Sequence, residues 1–402
     1  MLTGGQDKHY ALGLATALLA AGVRLDVIGS DEVDSPELHD DPRVQFFNLR
    51  GSQRAGVNIR QKMWRVLRYY GRLIRYASMA TPSVFHILWN NKFEFFDRTL
   101  LMIYYKLLGK KVVFTAHNVN AARRDSTDTH FNRLSLGMQY RLADHIFVHT
   151  DQMRSELMAE FRVPSRAITV IPYGINNAVP NTELTPADAK QRCGIRPEER
   201  SILFFGAIAP YKGLDLLIKA FWLVLATRPE GYRLIIAGKP KGGCEQYMNA
   251  VRKEIQEARG HHRVIMKIQY IPDEETELYF KAADVLVLPY RSIFQSGILF
   301  LAFSFGLPVI ASDVGSFRED VIEGETGFLC RPGDPVELAK TIEKYFQSDL
   351  FMTLDRKRRE IQECVGGRHS WGVVGRTTQN VYEGLLGRGR NSLPDVRGSA
   401  GA

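Results

Sequence analysis

One loop in the second half of the chain has the composition of a phosphate-binding site. It runs from Gly206 to Gly213 and carries Lys212 shortly before an apolar helix predicted over Leu214–Thr227. A small residue at a strand end lets a phosphate approach the backbone, and a lysine before a helix adds a full charge to the partial positive charge of the helix N-terminus. Lys212 could also be an ordinary surface residue and Gly213 an ordinary turn, so the motif alone leaves both interpretations open.

A second loop offers a complementary set of phosphate ligands. Gln295, Ser296 and Gly297 stand where another apolar helix begins, after a strand predicted at Val285–Leu288. Ser296 is suited to cap that helix, whose N–H groups can hold a diphosphate, and Arg291 could add a bidentate contact. The alternative is an ordinary helix cap with a solvated arginine.

Three further positions are candidates for ligand contact. Gly5 belongs to a Gly-Gly pair before the first predicted helix, where backbone N–H groups could touch an anion or a sugar. His117 follows a buried strand and should reach the crevice beyond the strand ends. Ile271 follows another strand and could offer its backbone to a nucleotide base. For each of them a purely structural role, in a turn or in the core, is the alternative.

The composition narrows the chemistry. Of 402 residues, 45% are apolar and 24% are charged, as in ordinary globular proteins. The four cysteines lie far apart without a CxxC pair, which argues against a disulfide framework or a zinc site and fits a reducing cytosol. There is no Walker lysine, GxGxxG, GxSxG or metal-ligand motif, so we expect neither a metal nor a resident cofactor. No signal peptide or apolar run of about 20 residues is visible, and we expect a cytoplasmic protein.

Short β-branched runs alternate with amphipathic helical stretches along the chain. This pattern predicts an α/β protein with two doubly wound, Rossmann-like domains, whose ligands bind beyond the carboxyl ends of the strands. We place the first domain at 1–180, the second at 181–368, a further helix at 369–387 and a disordered tail at 388–402. Nine residues precede the first predicted helix, Tyr10–Ala21, so we expect the strand that should feed it to be missing.

Much of the net charge of +9 is concentrated in one stretch, Arg60–Arg75. Basic residues alternate there with aromatic and aliphatic ones, which predicts a basic amphipathic helix suited to an anionic lipid surface at the inner face of the cell membrane. A surface helix with solvated arginines is the competing interpretation. Nucleic-acid binding would also use the charge, but no recognition motif accompanies it, so we expect no nucleic-acid partner.

Taken in order, the motifs of the chain resemble those of the GT-B fold glycosyltransferases of family 4, over nearly its whole length. The resemblance rests on Gly4-Gly5, Ala116-His117-Asn118, Ile171–Ile175, Phe205-Gly206 to Lys212-Gly213, Ile236-Ala237-Gly238, Ala282–Pro289, Phe305–Gly315, Glu325–Phe328 and Pro332-Gly333-Asp334. It implies two domains facing across a cleft, a nucleotide-diphosphate sugar as donor, a saccharide or lipid-linked acceptor, and a donor site that includes Gly238. It also implies that Ser370-Trp371 opens a helix returning to the first domain.

The chain departs from the family pattern at two places. The family usually carries two glutamates separated by seven residues around the second phosphate loop, and Ile293 and Leu301 stand at the corresponding positions here. The arginine usual after the strand of the first phosphate loop is also absent, since Ala207 and Ala209 occupy that stretch. With Gln-Ser-Gly in the second loop, the chain resembles a sub-branch of the family. The sequence does not identify its sugar and ribose contacts, whereas the diphosphate ligands are kept.

The mechanism implied by the resemblance is transfer with retention at the anomeric carbon, without an established enzymic nucleophile. The acceptor hydroxyl attacks the face from which the nucleotide diphosphate leaves, so the protein must stabilise charge on the departing phosphate. Lys212 is suited to that task, and His117 would position the sugar or the acceptor. Two other functions stay open: a nucleotide-sugar-binding protein without transfer, because the glutamates are absent, and a sugar-nucleotide epimerase, which would need more carboxylates than the cleft motifs offer.

Overall fold

The computed structural model describes residues 1–5, 7–52, 58–91, 93–124, 127–175 and 179–387, and the structural statements below concern these residues. They form two parallel sheets with connecting helices, so the predicted α/β class is confirmed. One apolar core fills the second half of the chain and two smaller ones fill the first. The predicted tail, 388–402, lies outside the described residues, and the predicted domain limits stay predictions.

The first half of the chain builds one sheet. Its strands are β1 (Leu25–Gly29), β2 (Val44–Asn48), β3 (Val84–Ile87), β4 (Lys111–Thr115), β5 (His145–Val148) and β6 (Ile168–Val170). Strands β1 and β2 pair with each other, and β3 to β6 pair in sequence order, all in parallel. Leu2 bridges Ile28 of β1 and Ile87 of β3 and so joins the two groups.

The expectation that the first strand is missing is wrong, because Met1–Thr3 occupy its position. The backbone N–H of Leu2 donates to the carbonyl oxygen of His86 at 2.8 Å, and that of Thr3 donates to Ile28 at 3.1 Å. The carbonyl oxygen of Leu2 in turn accepts from Leu88 at 2.9 Å. Three residues suffice to complete a ladder between two longer strands, since each carries a donor and an acceptor on the main chain.

Seven helices of the described residues belong to this half: α1 (Lys8–Ala20), α2 (Ile59–Met79), α3 (Glu94–Phe96), α4 (Met102–Leu107), α5 (Ala121–Arg124), α6 (His130–Leu142) and α7 (Asp151–Phe161). Helix α1 begins two residues before the predicted start, because the carboxylate of Asp7 accepts a hydrogen bond from the N–H of Tyr10 and caps it. Helix α2 is the helix predicted from the basic stretch. Its first turns are exposed to solvent, since every side chain from 60 to 65 is exposed.

The second half builds a six-stranded parallel sheet. Its strands are β7 (Arg200–Phe205), β8 (Tyr232–Ala237), β9 (Val264–Lys267), β10 (Val285–Leu288), β11 (Val309–Ser312) and β12 (Gly327–Cys330). They are ordered β9–β8–β7–β10–β11–β12, so the chain winds outward in opposite directions from the neighbours β7 and β10. The crevice between the ends of these two strands is where such sheets bind ligands. The loops that leave β7 and β10 are the two predicted phosphate loops.

Ten described helices follow the first half: α8 (Pro186–Arg192), α9 (Leu214–Thr227), α10 (Glu245–Glu257), α11 (Asp273–Ala282), α12 (Gly297–Ser304), α13 (Phe317–Asp320), α14 (Pro335–Tyr345), α15 (Asp349–Met352), α16 (Leu354–Arg368) and α17 (Trp371–Leu385). Helix α17 returns to the first half and packs against α1. Trp371 fills the space beside Gly13 and Gly174, where an added Cβ would lie 2.2 and 2.3 Å from the indole. The side chain of Ser370 caps α17 by accepting from the N–H of Gly372 at 3.2 Å.

Candidate functional site

A cleft of about 450 Å³ lies between the two halves, at the crevice between β7 and β10. The second half contributes both phosphate loops and the start of α11, and the first half contributes the start of α1 and the segment after β6. The wall includes Asp7, His9, Tyr10, Tyr173, Lys212, Ile271, Asp273, Ile293, Gln295, Ser296, Gly297, Leu301 and Trp371. Five predicted site residues are therefore brought together: Lys212, Ile271, Gln295, Ser296 and Gly297.

Lys212 is buried at the end of the first phosphate loop, with 8% of its surface exposed. Its ammonium nitrogen lies 5.2 Å from the centre of the Tyr290 ring, a cation–π distance. Gly213 follows it directly and begins α9. A charge in a site of low polarity attracts a phosphate more strongly than a solvated surface lysine does. The loop therefore has the charge and the position that phosphate binding requires.

Gln295, Ser296 and Gly297 bring the first turn of α12 to the cleft. Ser296 stands at the N-cap position, but its hydroxyl makes no capping hydrogen bond, so the predicted capping role is wrong. The Oε1 atom of Gln295 is buried and has no hydrogen-bond partner among the described residues. A buried polar atom without a partner is unfavourable. A ligand that brings a donor would satisfy it at the positive end of the α12 dipole.

Arg291 lies outside the cleft wall, contrary to the predicted phosphate contact. Its guanidinium forms an ion pair with Asp215 at 2.7 Å and donates to the carbonyl oxygen of Pro210 at 2.7 Å. Its backbone N–H donates to the carbonyl oxygen of Tyr211, also at 2.7 Å. Burial works to raise the pKa of Asp215, but hydrogen bonds from Arg291 and Tyr247 lower it below its ordinary value. Arg291 therefore fastens the second phosphate loop to the first.

Three of the four glycines predicted to contact the donor, Gly5, Gly206 and Gly238, support the cleft and do not line it, whereas Gly297 does. A Cβ on Gly238 would lie 1.8 Å from the carbonyl oxygen of Gly206, so the end of β8 can pack against the first phosphate loop only without a side chain. A Cβ on Gly206 would crowd Ile298 at 3.3 Å. The N–H of Gly5 donates to Oγ1 of Thr3 at 3.2 Å, next to the start of α1.

His117 does not line the cleft, but it is partly exposed and lies against Tyr10, which does. Trp89 stacks on its ring with 4.3 Å between ring centres, and Tyr10, which lines the cleft, meets it edge-on at 4.6 Å. The Nδ1 atom of His117 lies 3.1 Å from Nε2 of His149. Burial, and secondarily the neighbouring His149, lower the pKa of His117 well below its ordinary value. The imidazole is therefore neutral near pH 7 and can act as a hydrogen-bonding group but not as a cation.

The sequence analysis missed the residues with which the first half lines the cleft. Asp7, besides capping α1, accepts a hydrogen bond from the hydroxyl of Tyr173 at 3.1 Å. His9 pairs with Asp273 of the second half at 3.3 Å, and this hydrogen bond raises the pKa of His9. An aspartate just before an apolar helix is a capping signal, and that signal could have identified Asp7. Nothing in the sequence indicates that Asp273, far along the chain, faces His9.

The wall is apolar where the family carries its two glutamates, because both Ile293 and Leu301 line the cleft. The carboxylates of the described wall are Asp7 and Asp273, and each is hydrogen-bonded to another side chain. In the part of the chain that the structure covers, no group of three or more His, Cys, Asp or Glu could hold a metal ion. None of the described helices has the length and apolar character needed to cross a bilayer.

Comparison with known proteins matches both halves of the chain to glycosyltransferase families. Residues 4–179 match the family described as Glycosyltransferase Family 4, and residues 187–363 match Glycosyl transferases group 1. Over these two ranges the chain belongs to the two glycosyltransferase families. A curated relative, D-inositol 3-phosphate glycosyltransferase of Streptomyces avermitilis, is 26% identical over 252 residues, 61% of this chain and 52% of the relative. The chain thus spans about half the length of that relative.

Solved structures agree on the fold of this chain. Sucrose-phosphate synthase from Thermosynechococcus elongatus superimposes with a TM-score of 0.72 at 20% identity, over 94% of this chain and 92% of that one. HepE of Anabaena, solved in complex with UDP and glucose, gives a TM-score of 0.73 at 17% identity, over 95% and 98% of the two chains. Such likeness establishes the GT-B arrangement of two Rossmann-like halves.

Proposed function

We propose that this protein is a retaining glycosyltransferase that moves a sugar from a nucleotide-diphosphate sugar to a saccharide or lipid-linked acceptor. The observation that carries the proposal is the convergence of Lys212, Gly297 and Ile271 on one cleft at the crevice between β7 and β10. A diphosphate held by both loops directs its base to the side of Ile271 and its sugar toward the first half of the chain. The acceptor then binds against the first half.

Lys212 acts on the leaving group in this proposal. As the bond between the anomeric carbon and the phosphate oxygen breaks, that oxygen gains negative charge, which the ammonium group and the N-terminus of α12 stabilise. The acceptor hydroxyl attacks from the same face, and its proton passes to the departing phosphate. No residue has to form a covalent bond to the sugar, and the proposal assigns no step to a metal or a cofactor. His117, partly exposed and neutral, orients a hydroxyl of the sugar or acceptor.

Two competing functions make different demands on the cleft. A protein that only binds nucleotide sugars would explain the apolar Ile293 and Leu301, which offer no carboxylate to a sugar hydroxyl. A sugar-nucleotide epimerase needs groups that move protons, whereas Asp7 and Asp273 are both tied to neighbouring side chains. The convergence of phosphate ligands favours an enzyme whose reaction releases a nucleotide diphosphate from the donor.

A donor and acceptor screen tests the proposed function. Because the HepE complex contains UDP, uridine diphosphate sugars are the first donors to try, with inositol phosphates, oligosaccharides and lipid-linked sugars as acceptors. We expect donors to raise the melting temperature, since a ligand that binds the folded state stabilises it. Mass spectrometry should then detect a sugar added to an acceptor, with the anomeric configuration of the donor. Donor binding without any product would favour the binding protein, and an isomerised donor without acceptor would favour the epimerase.

The proposed site of action is the face of an anionic membrane, which α2 would bind. This helix carries no acidic residue. Its basic residues are Arg60, Lys62, Arg65, Arg68, Arg72 and Arg75. Trp64 is 66% exposed, Met63 58% and Leu67 53%. Exposed aromatic and aliphatic side chains beside basic ones are typical of helices that lie in the interface of a bilayer.

An apolar patch beside α2 extends this surface. Phe93 stacks on Tyr70 of α2 with 5.6 Å between ring centres, and Phe95 stacks on Phe131 of α6 at 4.4 Å. These three phenylalanines and Leu134 are each more than 40% exposed. Exposed patches of this kind mark interaction surfaces. Because the patch adjoins a helix rich in cations, an anionic bilayer is the partner whose charge and apolar interior match both features.

Converting Arg65, Arg68 and Arg72 to glutamine should weaken binding to anionic vesicles about a hundredfold, because each basic residue near such a surface contributes about 1 kcal/mol. Vesicle sedimentation measures this. Binding of the unmodified protein should also fall as salt rises, since the attraction is screened over about 10 Å at 0.1 M.

The matched control removes three exposed basic residues from the second half, Arg252, Lys253 and Arg259, and so gives the same net charge. It should bind vesicles as the unmodified protein does. If both triple variants lose vesicle binding equally, net charge alone explains the binding. If the unmodified protein sediments equally with neutral and anionic vesicles, α2 is an ordinary solvated surface helix.

A further inference from the structure

A chain of hydrogen bonds leads from the backbone of the first half to the ring of His117. The carbonyl oxygen of Ile171 lies 3.2 Å from Nδ1 of His149, and Nε2 of His149 lies 3.1 Å from Nδ1 of His117. The remaining ring nitrogen, Nε2 of His117, is buried and has no hydrogen-bond partner among the described residues. His149 itself is 6% exposed.

The backbone carbonyl at one end fixes the position of every proton in this chain. A carbonyl oxygen can only accept, so Nδ1 of His149 must carry the hydrogen. Burial lowers the pKa of His149 to about 4, so near pH 7 its ring is neutral and Nε2 has a free lone pair. Nδ1 of His117 therefore donates to it. Since His117 is neutral as well, its Nε2 has no proton and presents a lone pair.

We infer that His149 is a positioning residue, which holds His117 in the tautomer whose Nε2 accepts a hydrogen bond from a substrate hydroxyl. The inference rests on the proposed function, in which His117 contacts the sugar or acceptor. The tautomer determines which group can contact His117. That group must donate a hydrogen bond, as a sugar hydroxyl does and an ionised phosphate oxygen does not. The diphosphate therefore belongs to the loops of the second half and not to His117.

The rings around His117 keep its orientation fixed. The ring of Trp89 is stacked nearly parallel to the ring of His117, at an interplanar angle of 5°, and the ring of Tyr10 is almost perpendicular to it, at 87°. With the faces of the ring occupied in this way, the hydrogen bond to His149 decides which nitrogen carries the proton. Tyr10 also lines the cleft, and His117 beside it is partly exposed, so the ring lies at the edge of the space in which a substrate would bind.

The proton positions can be measured without any activity. In the protein labelled with ¹⁵N-histidine, long-range ¹H–¹⁵N spectra at pH 7 should show His117 protonated at Nδ1 and unprotonated at Nε2. His117→Ala identifies its signals. The opposite tautomer, or a protonated ring, would overturn the inference even if transfer is observed. A protein without transferase activity would contradict the proposed function and still give this tautomer.

Two substitutions at His149 test the functional consequence. His149→Leu removes the acceptor and should lower kcat/KM roughly ten- to a hundredfold, the range typical of partners that orient a functional histidine. It should leave the Kd of the nucleoside diphosphate unchanged, because the diphosphate is bound by the second half. His149→Gln can supply an amide oxygen in place of Nε2 and should restore kcat/KM to within about threefold, together with the single His117 tautomer.

The matched control is His145→Leu, which removes a buried histidine from β5, the strand that His149 directly follows. His145 bonds Thr169 at 2.9 Å, and its pKa is lowered by burial alone. Its replacement should cost stability without changing the His117 tautomer or kcat/KM. If His149→Leu behaves as this control does, or if His149→Gln fails to restore activity while keeping the tautomer, His149 has a structural role only. Should His149→Leu not fold, the spectra of the unmodified protein and the glutamine variant still decide the question.

Discussion

Replacing Lys212 with alanine is expected to slow transfer about a hundredfold while the fold is kept. The buried ammonium group lies in the first phosphate loop, where charge develops on the leaving nucleotide diphosphate. Losing one charged donor to a developing oxyanion costs about 3 kcal/mol, which corresponds to roughly two orders of magnitude in rate. Turnover at saturating donor measures the effect, and the melting temperature without ligand reports on the fold.

Lys219→Ala is the matched control for this substitution. Lys219 lies in α9, the helix that follows Lys212, and its side chain is exposed. We expect unchanged turnover for this variant, since the position is remote from the cleft wall. If Lys212→Ala keeps full turnover at saturating donor, Lys212 has no part in the chemical step.

Gly213→Ala is expected to disrupt donor binding, because Gly213 has no room for a side chain. Its φ is +69°, and a Cβ atom would lie 2.0 Å from the carbonyl oxygen of Pro289, at the start of the second phosphate loop. Backbone at that distance has to move, so the two phosphate loops would be forced apart. Such overpacking costs about 1–3 kcal/mol in stability. Calorimetry should show a lower melting temperature and a large rise in the Kd of the nucleoside diphosphate.

Gly194→Ala separates this clash from simple backbone strain. Gly194 has the same φ of +69°, but nothing lies within 4 Å of its Cβ position. The left-handed conformation costs about 1–2 kcal/mol for an alanine at either position. Donor affinity should change at position 213 alone. Equal effects of the two substitutions would contradict the contact between the loops.

The parts of the fold that were predictable are those in which hydropathy and burial agree. The predicted limits of helix Leu214–Thr227 and strand Val285–Leu288 are the observed ones, because Gly213 precedes the largely apolar helix and Pro289 ends the apolar strand. Helix α6 was missed for the opposite reason. Ser135 and Gln139 face the core while Phe131 and Leu134 are exposed, so its polar and apolar residues do not follow the helical pattern.

The candidate site was predictable wherever one loop carries the whole signal. Lys212 and the Gln-Ser-Gly segment were found because a loop at a strand end and a helix start are local features. Arg291 was misassigned because Asp215, in the first turn of α9, pairs with its guanidinium. Contributions of the first half, such as His9, depend on how the two halves meet, and no local pattern encodes that.

The packing of α17 against α1 has a consequence for the newly made chain. Tyr10, Leu14 and Leu18 of α1 share one apolar core with Val374 and Tyr382 of α17, about 350 residues later. At about 5–20 residues per second, a ribosome needs roughly 20 to 70 s to supply that partner. During this interval the apolar face of the first helix has no native cover, so the half that is synthesised first is the half that finishes folding last.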